Sequence, residues 1–224
     1  MSLLIRHYDQ CDYLETYQEM VEFNSNQSAS TEDEIWFLQH PPVYTLGLAG
    51  KTEHVLDPGM IPVVRSDRGG QVTYHGPGQL LAYLLLNLQH RHIGIKALVE
   101  RIEQAVIELL AAFNLQGERK VRAPGVYIDG RKIAALGIRV RNGCSYHGLA
   151  LNVDLDLAPY QGINPCGYPG LQVTRLVDYG VQLSAHEIAV IFQPYLLRNL
   201  GYDASDARVI ATVQDSSRRM QATA

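Results

Sequence analysis

The sequence predicts an α+β fold: a single domain with a central mixed, largely antiparallel sheet flanked by helices. Short segments rich in β-branched and aromatic residues follow one another instead of alternating with helices, which is the order typical of α+β proteins. Asp129-Gly130 stands between two of them, a dipeptide typical of tight hairpins and therefore of antiparallel pairing. The predicted strands are residues 34–39, 61–66, 80–88, 125–130, 131–140 and 144–153.

Three segments have the pattern of helices. Apolar side chains recur at steps of three and four residues from Ile95 to Asn114, which is the stripe of an amphipathic helix. A second helix is predicted from Gln10 to Asn24. A third is predicted to begin at Ser184, which forms a capping box with Glu187, and to end at Asn199. These helices provide the layers that flank the sheet.

Length and charge restrict the class of protein. The 224 residues fit one domain, expected over residues 1–212, followed by a polar and disordered tail over residues 213–224. A net charge of −4 gives no reason to expect a nucleic-acid partner. The N-terminus does not resemble a signal peptide, and the longest apolar run, Leu80 to Leu88, is too short to cross a membrane. We therefore expect a cytoplasmic protein that does not associate with membranes.

The three cysteines differ in their sequence context. They are odd in number and form no CxxC pair, which argues against a disulfide framework and against a cysteine-built zinc site. Cys11 lies at the polar start of a predicted helix and Cys144 at the start of a strand, so both have structural explanations. Cys166 stands between Pro165 and Gly167 in a loop, the open setting that a reactive thiol requires. Cys166 is therefore the candidate nucleophile.

A nucleophilic cysteine requires a base or cation nearby, because most thiols are protonated at neutral pH. The candidates are Lys132, His75 and His147. Lys132 opens the apolar strand KIAALGI, where partial burial would lower its pKa and make it a proton acceptor. The sequence is also compatible with Lys132 as a strand-end lysine that points to water. It is equally compatible with His75 and His147 as hydrogen-bonding residues of a pocket wall. Residue spacing alone does not choose among the three.

The segment Arg68–Gln79, RGGQVTYHGPGQ, has four glycines and a proline around a histidine. One interpretation is a strand between two tight turns. The other is a cradle for a small molecule, since such a loop offers backbone N–H groups, an arginine and an imidazole. The GxGxxG spacing of a dinucleotide loop and the GK[ST] of a Walker motif are absent from it.

Four motifs occur in one order between Ile35 and Leu176: RGGQVTYHGPGQL, KIAALGIRV, HGLALNVDLDL and GINPCGYPG. Together they resemble the octanoyltransferases of lipoate biosynthesis, a family whose fold is similar to that of lipoate and biotin protein ligases. The resemblance implies a catalytic domain over residues 1–212. It implies transfer of octanoyl from octanoyl-acyl carrier protein to a lysine of apo lipoyl domains, in 2-oxoacid dehydrogenase E2 subunits and the glycine cleavage H protein. It implies no metal and no cofactor.

The same resemblance assigns roles to individual residues. Cys166 matches the nucleophile that accepts the acyl group, and Lys132 matches the residue that promotes formation of its thiolate. The residues that match the parts holding the acyl chain are Arg68, Gly69, Gly70, Gln71, Val72, Thr73, Tyr74, His75, Ala135, Leu136, Gly137, Gly148, Leu149 and Ala150.

Two other functions are compatible with such a fold. An ATP-dependent lipoate or biotin protein ligase would activate a free acid and would require a nucleotide site but no nucleophilic cysteine. A scaffolding protein that binds lipoyl domains without catalysis would require no reactive residue. The cysteine loop favours the transferase over the ligase, whereas a scaffold is distinguished by a function that survives Cys166→Ala.

Overall fold

A computed structural model of the chain describes residues 2–28 and 30–213. In this part of the chain, an eight-stranded mixed sheet and a three-stranded sheet are flanked by three α-helices. The helices are α1 (Tyr13–Ser25), α2 (Ile95–Ala112) and α3 (Ala185–Leu200). The strands are β1 (Leu3–Gln10), β2 (Asp33–Gln39), β3 (Val43–Leu46), β4 (Val63–Arg65), β5 (Val72–His75), β6 (Gln79–Leu85), β7 (Glu118–Lys120), β8 (Ala123–Ile128), β9 (Arg131–Arg141), β10 (Cys144–Asn152) and β11 (Ala207–Val213).

The larger sheet has the strand order β11-β1-β2-β6-β10-β9-β8-β7. In it, β1 runs parallel to β2 and to β11, whereas the other neighbouring strands pair antiparallel. Asp129 and Gly130 form the turn between β8 and β9 with φ angles of 49° and 75°, the left-handed values that a two-residue hairpin favours. The predicted mixed, largely antiparallel sheet and its hairpin are confirmed.

The three predicted helices are present and close the two faces of the larger sheet. α2 and α3 pack together on one face, where Phe192 belongs to the main core. α1 covers the opposite face, where Met20 packs with Trp36. The capping box is formed: Glu187 N–H donates to the Ser184 hydroxyl at 3.2 Å, and Ser184 N–H donates to the Glu187 carboxylate at 2.8 Å.

Sequence patterning misses β1, β3, β7 and β11 and extends several other strands too far. β1 and β3 are buried along most of their length, so they lack the alternation of apolar and polar residues that marks a half-buried strand. β7 consists of three charged residues at the edge of the sheet. The predicted strand 80–88 ends at Leu85, and the predicted strand 61–66 shortens to β4. For the strands that it does predict, the sequence pattern gives the location but not the ends.

The smaller sheet has the order β4-β3-β5, which leaves β5 at its edge. One side of this sheet packs on a core that includes Tyr44, Tyr74 and Tyr160. β5 lies inside the glycine-rich segment and packs against the turn that contains Cys166. This second sheet therefore brings the glycine-rich segment to the candidate nucleophile.

Part of the predicted tail lies outside the described residues. Val213 is the last residue of β11, and residues 214–224 are not described. Over residues 2–28 and 30–213, none of the helices is long and apolar enough to cross a membrane.

The capping box predicts a measurable contribution to stability. Ser184→Ala removes the hydroxyl that accepts from Glu187 N–H, and we expect the free energy of unfolding to fall by ~1 kcal/mol. Ser184→Asp retains a capping oxygen and is expected to stay close to wild type. Urea unfolding followed by circular dichroism measures both. Equal destabilisation by the two variants would contradict a capping role for Ser184.

Candidate active site

Cys166 is the central residue of a short 3-10 turn, Pro165–Gly167, which we call the Cys166 turn. Its φ angle of 56° is left-handed, a conformation that costs a residue with a Cβ free energy and that concentrates at functional sites. Two hydrogen bonds close the turn: Gly167 N–H to Asn164 O at 2.9 Å and Tyr168 N–H to Pro165 O at 3.0 Å. The turn thus holds the thiol at a partly exposed position, whereas Cys11 and Cys144 are buried.

Lys132 contacts Cys166 directly. Its Nζ lies 3.2 Å from Cys166 Sγ and donates a second hydrogen bond to Pro124 O at 3.0 Å. The backbone of Lys132 is bonded to the chain that follows the Cys166 turn, since Lys132 N–H donates to Gln172 O at 2.9 Å and Thr174 N–H donates to Lys132 O at 3.0 Å. Two short backbone bonds therefore fix the distance between the thiol and the ammonium group.

The pKa of Lys132 moves in the direction opposite to the one predicted. Burial lowers this pKa, as expected for a side chain that is 5% exposed. The negative charge of a Cys166 thiolate and the hydroxyl of Tyr127 raise it, and their combined effect exceeds that of burial. The expectation that Lys132 rests as a neutral base is wrong, because it took no account of the sulfur at 3.2 Å. Lys132 rests as an ammonium ion.

His75 is part of a buried chain of hydrogen bonds. Gln79 Nε2 donates to Asn152 Oδ1 at 2.9 Å, so Gln79 Oε1 accepts from His75 Nδ1 at 2.7 Å. His75 Nε2 then accepts from the Thr45 hydroxyl at 3.3 Å, and that hydroxyl accepts from Arg68 Nε at 2.8 Å. Burial lowers the pKa of His75 well below its usual value. Both ring nitrogens are engaged, so His75 is a neutral part of the pocket wall.

His147 is held by Asp67 instead of facing the sulfur. Its Nε2 lies 3.0 Å from Asp67 Oδ1, and burial lowers its pKa although Asp67 raises it. Tyr146 donates a hydrogen bond to the same carboxylate. Burial raises the pKa of Asp67, but the bonds from His147, Tyr146 and Tyr17 outweigh burial and bring it to about 2. Among the three bases proposed from sequence, Lys132 is the one bonded to Cys166.

A cavity of about 320 Å³ extends from Cys166 and Lys132 along β9 and β10. Ala135 pairs with Ala150, and Gly137 pairs with Gly148, in the ladder between these strands. Directly paired residues project from the same face, and these two pairs are two positions apart, so the four small residues form one continuous floor. A Cβ on Gly148 would lie 2.1 Å from Ala82 O, so the close packing of the sheet requires glycine there. Such a floor leaves room for an alkyl chain.

The structure brings together every site residue predicted from sequence except Tyr74. Arg68 to Thr73, His75, Ala135 to Gly137, Gly148 to Ala150, Lys132 and Cys166 all line the cavity. The ring of Tyr74 instead packs 5.6 Å from the ring of Tyr44 and 5.7 Å from that of Tyr160, inside the core of the smaller sheet. The Tyr74 side chain therefore lies in that core, and its place in the acyl-binding segment stays a prediction.

Sequence reasoning missed several residues of the cavity wall. Tyr168 stands two positions after Cys166 in the same loop, so the loop motif could have identified it. Tyr13 and Tyr83 reach the cavity from α1 and β6, where nothing in the local sequence distinguishes them from core residues. The remaining missed residues are Leu81, Ile95, Val99, Arg122, Ala123, Pro124 and Ile138. In the part of the chain that the structure describes, no three His, Cys, Asp or Glu side chains are grouped as metal ligands.

The lipoyl protein ligase A/B catalytic domain is the family whose sequence pattern matches this chain, over residues 14–196. The chain belongs to that family. A relative from Azoarcus sp. (strain BH72), named octanoyltransferase, is 58% identical over 202 residues, which are 89% of this chain and 88% of the relative. The octanoyltransferase of Chromobacterium violaceum is 51% identical and covers 89% of this chain and 97% of its own.

Solved structures show the same fold in more distant proteins. A crystal structure of lipoate-protein ligase A bound with ATP superposes with a TM-score of 0.78 at 16% identity, covering 96% of this chain and 90% of that one. At this identity the likeness concerns the fold alone, so it does not transfer ATP chemistry to this member of the lipoyl protein ligase A/B family. The relatives above 50% identity are transferases, and this chain is an acyltransferase.

The contact between Lys132 and Cys166 predicts a selective and charge-dependent thiol reactivity. We expect iodoacetamide to alkylate Cys166 before the buried Cys11 and Cys144. Lys132→Met removes the ammonium charge, so alkylation of Cys166 at pH 7 should slow by roughly 10-fold or more and its pH profile should move upward. Peptide mass mapping against time measures the rate.

The matched control is Lys120→Met, which removes an exposed lysine that donates to Gly130 O at 2.8 Å. Its alkylation rate should equal that of wild type. Equal rates for Lys132→Met and Lys120→Met would show that Lys132 does not stabilise the thiolate.

Proposed function

We propose that the chain transfers an octanoyl group from octanoyl-acyl carrier protein to a lysine of an apo lipoyl domain, through a thioester on Cys166. The observation that carries the proposal is a partly exposed thiol 3.2 Å from a buried ammonium group, at a cavity floored by small residues. Nucleophilic catalysis by cysteine requires this pairing. The octanoyltransferase relatives at 51% and 58% identity support the choice of acyl group.

In the first half-reaction the thiolate of Cys166 attacks the carbonyl carbon of the donor thioester. A new C–S bond forms and a tetrahedral intermediate develops. When the intermediate collapses, the C–S bond to the phosphopantetheine arm breaks, and Lys132 gives its proton to the departing thiolate of the arm. The products are an octanoyl thioester on Cys166 and a neutral Lys132 amine.

The electrostatics of the pair support this proton transfer. Once Cys166 carries an acyl group its negative charge is gone, so the largest influence that raised the pKa of Lys132 is removed. Burial, which lowers this pKa, then meets less opposition. The pKa of Lys132 therefore falls on acylation of Cys166, which favours transfer of its proton to the departing thiolate.

In the second half-reaction the acceptor lysine attacks the thioester as a neutral amine. Lys132 takes the proton that the nitrogen loses, the C–S bond to Cys166 breaks, and the ammonium and thiolate pair is restored. Conversion of a thioester to an amide is downhill, so the cycle requires neither ATP nor a metal. The acceptors proposed are the lipoyl domains of 2-oxoacid dehydrogenase E2 subunits and the glycine cleavage H protein, in the cytoplasm.

The second candidate function is an ATP-dependent lipoate or biotin protein ligase. The observation that favours it is the match of residues 14–196 to a family that is named for lipoyl protein ligases. The two functions differ in their requirements: the transferase is active with octanoyl-acyl carrier protein in the absence of ATP, whereas the ligase is active with the free acid and only with ATP.

The central test is the mass of the intact protein after mixing with octanoyl-acyl carrier protein without ATP. We expect one octanoyl adduct on wild type and on the matched variant Cys144→Ala, and none on Cys166→Ala. Lys132→Ala should form the adduct more slowly. An adduct that persists in Cys166→Ala would refute the assignment of the nucleophile, and a strict requirement for ATP would support the ligase. If Cys166→Ala modifies lipoyl domains as fast as wild type does, the function of the protein does not pass through a covalent intermediate on Cys166.

The floor of the cavity predicts selectivity for chain length. Ala150→Val adds two methyl groups to a floor of small residues, and overpacking of a filled site costs about 1–3 kcal/mol. We expect the rate of acylation by an octanoyl donor to fall roughly 10-fold or more relative to a butanoyl donor on the same variant. Stopped-flow release of the donor thiol measures both rates. An equal loss with the two donors would place the octanoyl chain elsewhere.

A further inference from the structure

The edge strand β5 presents backbone groups that its partner strand does not use. Gly47 N–H donates to Gln71 O at 3.2 Å across the two strands, and Leu46 O accepts from Ser66 N–H at 2.8 Å on the far side of β3. Leu46 is the direct partner of Val72. Because pairs alternate along an antiparallel ladder, Leu46 and Val72 form a pair without hydrogen bonds. The N–H and C=O of Val72 therefore point away from β3.

Tyr74 shows where this edge of β5 faces. Two positions beyond Val72, its carbonyl has the same orientation and accepts a hydrogen bond from the Tyr160 hydroxyl at 3.3 Å. Tyr160 in turn lines a cavity of about 10 Å³ together with Lys132 and Cys166. The unused edge of β5 therefore faces the thiol and its ammonium partner.

The residues on either side of Val72 place it beside the Cys166 turn. The Cγ of Gln71 lies 3.0 Å from the position that a Cβ on Gly167 would take. Thr73 shares the wall of the small cavity with Cys166. Val72 itself lines the large cavity with Cys166. Val72 therefore lies beside the Cys166 turn, on a strand that packs against it.

The N–H of Val72 has no acceptor among residues 2–28 and 30–213, although Val72 is 0% exposed. The N–H of Cys166, in the first turn of a 3-10 segment, also has none in that part of the chain. Buried N–H groups without acceptors are rare and call for an explanation. Both groups are available to a further acceptor, Val72 N–H from a buried position and Cys166 N–H from a partly exposed one.

We propose that the backbone N–H groups of Val72 and Cys166 form the oxyanion hole of the acyl-transfer reaction. This inference rests on the proposed function. As the thiolate attacks, the π electrons of the carbonyl move onto its oxygen, and they return when the C–S bond to the leaving group breaks. The two N–H groups stabilise that transient charge. Lys132 Nζ donates to the sulfur and to Pro124 O and also bonds to Tyr127, so its three N–H groups already have partners.

Val72→Pro removes one N–H and keeps a side chain of three carbons. Proline is tolerated on an edge strand where the N–H points away from the partner. The matched variant Val72→Ala retains the N–H and reports the effect of shortening the side chain. Two rates are measured on each variant by mass spectrometry: acylation of Cys166 by S-ethyl thiooctanoate, and its alkylation by iodoacetamide. Alkylation requires the thiolate but forms no oxyanion.

We expect Val72→Pro to acylate roughly 10²–10³-fold more slowly than Val72→Ala, while the two variants are alkylated at equal rates. Equal acylation rates would overturn the oxyanion hole. Acylation is also measured with a second donor, octanoyl-pantetheine. A loss of rate with this donor alone, and not with S-ethyl thiooctanoate, would also overturn the proposal, since the N–H would then bind the pantetheine arm of the donor. If wild type forms no octanoyl adduct on Cys166, the proposed function fails, whatever the variants do.

A measurement on wild type covers the case in which Val72→Pro does not fold. Protein labelled with ¹⁵N-valine is compared by NMR as the octanoyl thioester on Cys166 and as the S-octyl thioether, which has the chain without the carbonyl. We expect the Val72 amide proton to move downfield in the thioester alone, as it gains an acceptor. An identical position in both forms would overturn the proposal.

Discussion

The hydrogen bond between Lys132 Nζ and Cys166 Sγ is the interaction on which the rest of the site depends. A buried ammonium group is unfavourable unless an opposite charge accompanies it. Here the sulfur at 3.2 Å reverses the effect of burial and raises the pKa of Lys132. The left-handed turn at Cys166, the bonds from Lys132 to residues 172 and 174, and the carbonyl of Pro124 keep the two groups at this distance. Each of these features maintains the contact between the lysine and the thiol.

The histidines around the cavity have the opposite role. Burial lowers the pKa of His40 to about 4, and it also lowers the pKa values of His75 and His147. Their nitrogens are bonded to neighbours such as Gln79 and Asp67. They therefore remain uncharged near neutral pH and give the cavity a wall that suits an alkyl chain. Charge in the site is concentrated where the chemistry requires it.

The sequence predicts the local features of the site better than the distant ones. Cys166 could be identified because its proline and glycine neighbours are adjacent in the chain. The choice of Lys132 over the histidines could not be made from spacing, since the contact joins residues 34 positions apart. For the same reason the direction of the pKa of Lys132 was predicted wrongly. The core position of the Tyr74 ring could not be predicted, because membership of a motif does not reveal which side of a strand a residue occupies.

The fold was predictable where patterns are local, as in the Asp129-Gly130 hairpin and the Ser184 cap. It was not predictable for β1, whose burial follows from its two parallel neighbours. The same dependence on distant partners has a consequence at the active site. The backbone bonds from Lys132 to residues 172 and 174 join the cation to the segment that carries the thiol. If this short ladder opens, both components of the reactive centre separate at once. An opened chain keeps its thiol but loses the lysine beside it, so the reactive pair exists only in the folded protein.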